Sequence, residues 1–204
     1  MSAGVDGFAL TTTEAWFDTD LPDRAPDPDA LAAEWVRRVP VFGPHREDLS
    51  RLLGVGLFTG KILGAHRVAV LAALARDDED ATDRLYHGTL FTGLMPADFE
   101  ARDTAGLAAE LRERVGGEQL PGVLEIGDVL LGGIPAVRHR TLDTIPSLTP
   151  EQGTLVDTVK YFVPVPDGGD KLVLLWFATP TLGPEGDGMI ELMDEVAATF
   201  RWLP

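Results

Sequence analysis

Cysteine and asparagine are both absent from the 204 residues of this sequence. Without cysteine there can be no disulfide bond, no thiolate metal ligand and no thiol nucleophile. Without asparagine there is no N-glycosylation sequon. Serine is rare, and none of the three serines stands in a GxSxG nucleophile elbow, which argues against a serine hydrolase.

Nucleotide- and metal-binding motifs are missing as well. The glycines before Lys61 superficially resemble a phosphate-binding loop, but Ile62 follows the lysine where Ser or Thr is required. No GxGxxG, HExxH or EF-hand pattern occurs. The acidic run at residues 77–80, with Asp83, could gather calcium, although such runs are more typical of solvated turns. We therefore predict no cofactor and no metal ion.

Positive charge is scarce, since 17 Lys and Arg residues face 33 Asp and Glu residues, for a net charge of −16. This balance argues against nucleic acid or an anionic membrane as the partner, because both are themselves negatively charged. It favours a basic protein partner. An acidic surface also keeps a protein soluble without marking any partner.

Long apolar runs are lacking too. The longest, residues 68–75 and 172–178, fall well short of the roughly 20 residues that span a bilayer. The N-terminus has no basic cluster followed by an apolar segment, as a signal peptide would. We therefore expect a cytoplasmic protein. We also expect one domain over residues 1–204, with residues 1–60 as an extension whose helices pack on a sheet.

The last fifty residues contain the clearest structural pattern. Branched and aromatic residues at 155–166 and 171–180 predict two paired strands, with a glycine-containing turn at 167–170. Met189, Met193, Val196 and Phe200 then recur at helical spacing. This spacing predicts a final helix from about Asp187, acting as its cap, to Phe200, and the helix is expected to cover the sheet.

The remaining segments predict helices and strands in alternation. Asp27-Pro28 begins a helix that ends at Pro40, and a shorter helix at 44–53 precedes a glycine-rich connection at 54–64. Residues 62–76 fit either a buried helix or a strand, and the neighbouring strand at 84–95 favours a strand. A helix at 98–116 and one or two strands at 122–141 follow. The predicted fold is α+β, an antiparallel β-sheet flanked by helices.

Four segments of the chain resemble the PsbP-like superfamily, in particular small actinobacterial proteins of that type. They are Gly127 with residues 133–138, residues 159–166, residues 172–180 and residues 193–202. The resemblance implies an α/β/α sandwich around an antiparallel sheet. It also implies a binding or assembly role, and it brings no catalytic residues with it.

Histidines are the remaining candidates for chemistry. His66 and His87 fall on the two neighbouring strands predicted at 62–76 and 84–95, so they could approach each other across the sheet. A metal or acid/base site there is one interpretation, and a pair of solvent-facing or hydrogen-bonded histidines is the more ordinary one. His139, between Arg138 and Arg140, is predicted to be exposed.

These observations predict a non-enzymatic accessory protein that acts through protein–protein contacts. The alternative is a small-molecule carrier with an apolar cavity between the sheet and the C-terminal helix. An enzyme that uses His66 and His87 with nearby carboxylates is a third hypothesis.

Overall fold

The computed structural model describes residues 7–21, 26–76, 83–96, 99–101, 103–117, 122–145, 154–166 and 171–204. Over these residues the fold is α+β, with antiparallel strands flanked by helices, so the predicted fold class is confirmed. The chain divides into two compact units. The N-terminal unit is Thr12–Gly93, and the C-terminal unit combines Met1–Thr11 with Leu94–Pro204.

The elements follow one another in a simple order along the chain. They are β1 (Gly7–Ala9), β2 (Trp16–Asp20), α1 (Pro28–Arg38), a 3-10 helix (Pro40–His45), α2 (Arg46–Ile62), β3 (Arg67–Arg76), β4 (Asp83–Pro96), α3 (Thr104–Gly117), β5 (Val123–Leu131), β6 (Ile134–Ile145), β7 (Thr154–Pro164), β8 (Lys171–Thr179), α4 (Gly183–Ala198) and β9 (Arg201–Leu203).

In the N-terminal unit β3 lies between β2 and β4, and α1 and α2 pack together over this sheet. The N-cap of α1 is Asp27, whose side chain accepts a hydrogen bond from the Asp29 backbone at 3.1 Å, with Pro28 at the first helical position. This start is as predicted. Trp35 on α1 and Leu49 and Leu53 on α2 are fully buried, so the first sixty residues supply much of this core.

The predicted end of the second helix at Gly54 is wrong, because α2 runs on to Ile62 through three glycines. Gly56 and Gly60 face β3. A Cβ added at Gly60 would lie 2.5 Å from Val68 Cγ2 and 2.8 Å from Leu21 Cδ1. Glycine is therefore needed for a close approach of helix to sheet, and tertiary packing outweighs its low helix propensity.

The ambiguous segment at 62–76 is a strand from Arg67 onward, as predicted, and it pairs along its whole length with β4. The predicted strand at 84–95 corresponds to β4. The acidic run at residues 77–80 lies outside the described residues.

The C-terminal unit contains a four-stranded antiparallel sheet in the order β8-β7-β6-β5. The turn between β5 and β6 consists of Gly132 and Gly133, which both have positive φ (56° and 85°), as a two-residue hairpin turn requires. The predicted pair of strands at 155–166 and 171–180 is β7 and β8, and its turn at 167–170 lies outside the described residues. A two-stranded sheet joins β1 to β9.

The two faces of this sheet carry different helices. On one face α3 packs over an apolar cluster that includes Phe99, Leu107, Leu111 and Phe162. On the other face lies α4, with Met189, Ile190, Met193 and Val196 among its buried residues. Within this unit the arrangement is a layer of sheet between two helices, as expected for an α/β/α sandwich.

The final helix begins earlier than the sequence pattern indicates. It starts at Gly183, with Leu182 at the N-cap position, so the prediction that Asp187 caps the helix is wrong. Asp187 lies within the second turn, where its carboxylate contacts Arg140 of β6.

Candidate functional site

His66 and His87 lie apart along the sheet. His66 immediately precedes β3, and its backbone N–H donates to the Thr92 carbonyl at 2.8 Å. His87 lies on β4, five positions before Thr92, and pairs with Ala72 of β3. At about 3.3 Å per strand residue this offset amounts to roughly 16 Å. The structure therefore does not bring the two imidazoles together as the sequence hypothesis requires.

His87 lies instead beside a cavity of about 490 Å³ between the start of α2 and the start of β4. Burial lowers the pKa of His87, while its own backbone hydrogen bond and the charge of Asp48 act in the opposite direction. The cavity is also lined by His45, Arg51, Asp83 and Arg84. Across the described ranges, no three His, Asp or Glu side chains are grouped as a metal site would need.

The most elaborate polar arrangement lies under α4 and centres on Arg138 of β6. Its Nε donates to Asp194 Oδ1 at 2.9 Å and its Nη2 to Asp194 Oδ2 at 3.1 Å, a bidentate pair. Its Nη1 donates to Glu125 Oε2 at 2.5 Å. The hydroxyl of Tyr161 on β7 also donates to Asp194 Oδ1. Strands β5 and β6 are thus tied to α4 through the Arg138 guanidinium, and β7 is tied to it through the Tyr161 hydroxyl.

A second guanidinium repeats this arrangement two residues further along β6. Arg140 donates to both carboxylate oxygens of Asp157 on β7, at 3.1 and 2.5 Å, and to Asp187 of α4 at 2.5 Å. The hydrogen bond to Asp157 is the main cause of a raised pKa for Arg140. Because Asp187 and Asp194 are two helical turns apart, they share the face of α4 that lies over β6.

Tyr161 and Arg138 are both held in one protonation state. Burial raises the pKa of Tyr161, and its hydrogen bond to Asp194 raises it further. For Arg138, burial acts to lower the pKa, but the hydrogen bonds and charge of Asp194 outweigh burial and the pKa is raised. The group therefore stays a neutral phenol and an ion pair at physiological pH.

A cleft of about 400 Å³ opens beside this group, between α4 and β5. We call it the β5–α4 cleft. Its lining combines a polar and an apolar part: Glu125, Arg138, Tyr161 and Asp194, then Val129, Leu130, Leu131 and Ala198. One guanidinium faces two carboxylates, so one negative charge remains uncompensated. The lining is mixed, in contrast to the apolar cavity expected from the sequence.

Gly127 lies on β5 between two residues that line the cleft, Glu125 and Val129. Because Gly127 pairs with Arg138 in the sheet, both lie on the face toward α4, as do Glu125 and Val129. A Cβ added at Gly127 would have no atom within 4 Å. The mouth of the cleft is marked by two exposed residues, Glu125 with its side chain 57% exposed and Leu130 at 68%.

Sequence reasoning missed the residues of this cleft as site residues. Two signals could have indicated them. Arg138 and Arg140 alternate on a strand and must share one face, and Asp187 and Asp194 are spaced for one face of a helix. What the sequence does not show is that these two faces meet.

His139 is buried, so the prediction that it is exposed is wrong. It lies on the sheet face toward α3, where the strand period places it opposite to its two arginine neighbours. Burial lowers its pKa, the charge of Lys160 lowers it further, and Asp143 opposes the shift. Its Nε2 has no hydrogen-bond partner within the described part of the chain.

No family model matches the chain, and no curated protein matches it. Among solved structures it is similar to LpqN of Mycobacterium tuberculosis, a protein involved in cell envelope biogenesis. The TM-score is 0.50 at 15% sequence identity, and the match covers 98% of this chain and 87% of LpqN. This likeness shows a related fold, and membership of the PsbP-like superfamily stays a prediction.

Helices long and apolar enough to cross a membrane do not occur among the described residues.

Proposed function

We propose that this chain is a non-enzymatic accessory protein that binds another protein at the β5–α4 cleft. The observation that carries the proposal is the composition of this cleft. A partly exposed carboxylate and an apolar wall converge at one edge of a sheet, with open space beside Gly127 on the same face. Protein interfaces combine apolar contacts with a polar, partly solvated rim, and the lining of this cleft has both.

The charge of the chain supports a basic partner. The net charge of −16 attracts cationic surfaces at long range, and the uncompensated carboxylate in the cleft does so locally. Nucleic acid and anionic membranes would be repelled by the same charge. The fold shared with LpqN supports an accessory role in cell envelope biogenesis.

Photo-crosslinking tests this proposal. A photoreactive amino acid replaces Leu130 at the mouth of the cleft, and in a matched control it replaces Val41, which is similarly exposed. In cells of the source organism we expect the Leu130 variant to give a discrete protein adduct, identifiable by mass spectrometry, and the Val41 variant not to give it. The absence of an adduct from the Leu130 variant, or the same adduct from both, would contradict the proposal.

A second candidate is a small-molecule carrier, which the cleft volume of about 400 Å³ favours. Drug-sized ligands occupy pockets of roughly this size. Native mass spectrometry distinguishes the two candidates. A mass excess that disappears under denaturing conditions would indicate a retained ligand, whereas the mass of the bare protein would leave the protein-binding role in place.

The proposal includes a cytoplasmic location, as expected from the sequence. Fractionation of cells that produce the full-length protein tests this part separately. Recovery in the envelope fraction would overturn the cytoplasmic location without affecting the binding role.

A further inference from the structure

One edge of β5 is not covered by another strand of the described chain. The strand runs from Val123 to Leu131 and ends the sheet order, pairing with β6 along one side. A bulge lies between Val123 and Glu125, and from Glu125 onward the register is continuous. An open edge presents a row of backbone N–H and C=O groups to which an extended chain can pair.

Natural proteins usually protect such an edge with proline, lysine or a cover. The sequence of β5, VLEIGDVLL, contains neither proline nor lysine. Leu124 and Leu130 are largely exposed near its two ends. Beyond the bulge, the edge therefore has a continuous register, without proline or lysine, with which a further strand can pair.

The β5–α4 cleft lies directly beside this edge. Residues of β5 alternate between the two faces, so Glu125, Gly127 and Val129 point toward α4. A strand added next to β5 would follow the same pleat, and its alternate side chains would lie over the cleft. The absence of a side chain at Gly127 leaves room for one of them.

The charge of the cleft selects the kind of side chain that enters it. Asp194 already neutralises Arg138, and Glu125 adds a second carboxylate. Arg138 donates its hydrogen bond to Oε2 of Glu125, so the other carboxylate oxygen, Oε1, can accept a hydrogen bond from a ligand. A Lys or Arg side chain suits this geometry, because its methylene stem can lie along Val129 while its cationic head reaches Glu125.

We propose that an extended segment of a partner protein pairs with β5 as an added strand and places a Lys or Arg side chain in the cleft against Glu125. This inference rests on the proposed function and specifies the chemistry of its partner. An acidic segment would meet the repulsion of Glu125 and Asp194. A second copy of the chain would bring another net charge of −16, which opposes self-association.

Labelled peptides provide a direct test of this pairing. The probe is a seven-residue peptide of alternating valine and threonine with one central lysine, and binding is measured by fluorescence anisotropy at low salt. Matched peptides carry acetyl-lysine or glutamate at the centre, or N-methyl groups on the edge-facing amides. We expect the lysine peptide to bind and each matched peptide to bind at least about 10-fold more weakly, since each loses a charge contact or the strand pairing.

Two variants of the protein locate the binding site. Gly127→Leu places a bulky side chain between Glu125 and Val129 without removing a charge, and Gly127 is not among the glycines with positive φ, so a strand can accept leucine there. We expect this variant to abolish detectable binding. Glu125→Gln should weaken binding about 10-fold, and Glu195→Gln, which removes one charge from the exposed side of α4, should leave it unchanged. Circular dichroism checks that each variant is folded.

Equal binding of the lysine and acetyl-lysine peptides would overturn the inference, as would binding that is insensitive to both Gly127→Leu and Glu125→Gln. If the adduct formed at position 130 persists in those two variants, the proposed function stands and this inference fails. If the peptide binds as expected but no cellular adduct forms, the inference about the edge stands and the proposed function fails.

Discussion

The two faces of the C-terminal sheet are built from the same strands but hold their helices in different ways. Under α3 the contact is an apolar cluster in which Phe99 and Phe162 meet edge to face, with ring centroids 6.1 Å apart. Under α4 the apolar contacts are joined by two guanidiniums, each bonded to a carboxylate of the helix. The strand period of two residues separates these chemistries by placing Val137 and Arg138 on opposite sides.

The two kinds of contact differ in how precisely they position a helix as well as in how much they stabilise it. Apolar contacts are non-directional, so a helix held by them can shift slightly at little cost. A bidentate Arg–carboxylate pair has a defined geometry. The bidentate pair of Arg138 with Asp194, together with the single hydrogen bond from Arg140 to Asp187 seven residues earlier on α4, therefore determines the position of that helix along the strands. A cleft lined by α4 gains a defined shape from this arrangement.

The largest expected effect is on the α3 face. Phe162→Ala should lower the free energy of unfolding by about 4 kcal/mol, because a buried aromatic ring leaves a cavity against Phe99 and Leu107. Urea denaturation measures the loss. Leu124→Ala, at an exposed position, should change stability by no more than about 0.5 kcal/mol. Comparable losses in the two variants would show that the α3 face is not a packed core.

The next effect concerns the α4 face. Arg140→Met should cost about 3 kcal/mol, because it leaves the Asp157 carboxylate, with its side chain 5% exposed, without its charge partner. Replacing Asp157 by Leu in the same chain should restore most of the loss, since no buried charge then remains. Denaturation of the single and double variants measures both. A double variant no more stable than the single one would contradict this account of the face.

The smallest effect is a pH dependence on the α3 face. Burial holds the pKa of His139 below its ordinary value of 6.5, so the unfolded chain takes up a proton at a higher pH than the folded chain. The stability that the neutral imidazole contributes is present above about pH 6.5 and is lost as the pH falls. His87, whose pKa is also lowered by burial, acts in the same direction.

Denaturation series at about pH 7 and about pH 5 measure this dependence. His139→Gln should reduce the decrease in stability between the two values, and His66→Gln, at an exposed position, should leave it unchanged. An equal decrease in the wild-type chain and in His139→Gln would show that His139 is not a source of the pH dependence.

Local patterns predicted many elements because their causes are local. Asp27 and Pro28 satisfy the first turn of α1 whatever packs against it, and runs of branched and aromatic residues produce β7 and β8. The glycine pair at 132–133 forms the β5–β6 turn for a similarly local reason, since glycine adopts positive φ readily. These signals lie within a few residues of the element that they specify.

The wrong predictions concern residues whose partners are distant in sequence. Gly56 and Gly60 read as a loop by propensity, and they are helical because β3 requires a close approach. His139 reads as exposed between two arginines, and it is buried because the opposite face of the strand is the one that α3 covers. The approach of His66 to His87 depended on a strand register that the pattern did not contain.

By itself the sequence determined the α+β class, most of the helices and strands, the acidic charge and the absence of cysteine chemistry, since each depends on composition or short spacing. The tertiary structure alone decided the candidate site. Glu125, Arg138, Tyr161 and Asp194 come from three strands and a helix, and ion pairing under α4 brings them together. Such a site depends on which face of the sheet packs against which face of the helix. That packing is determined by contacts between residues far apart in the chain.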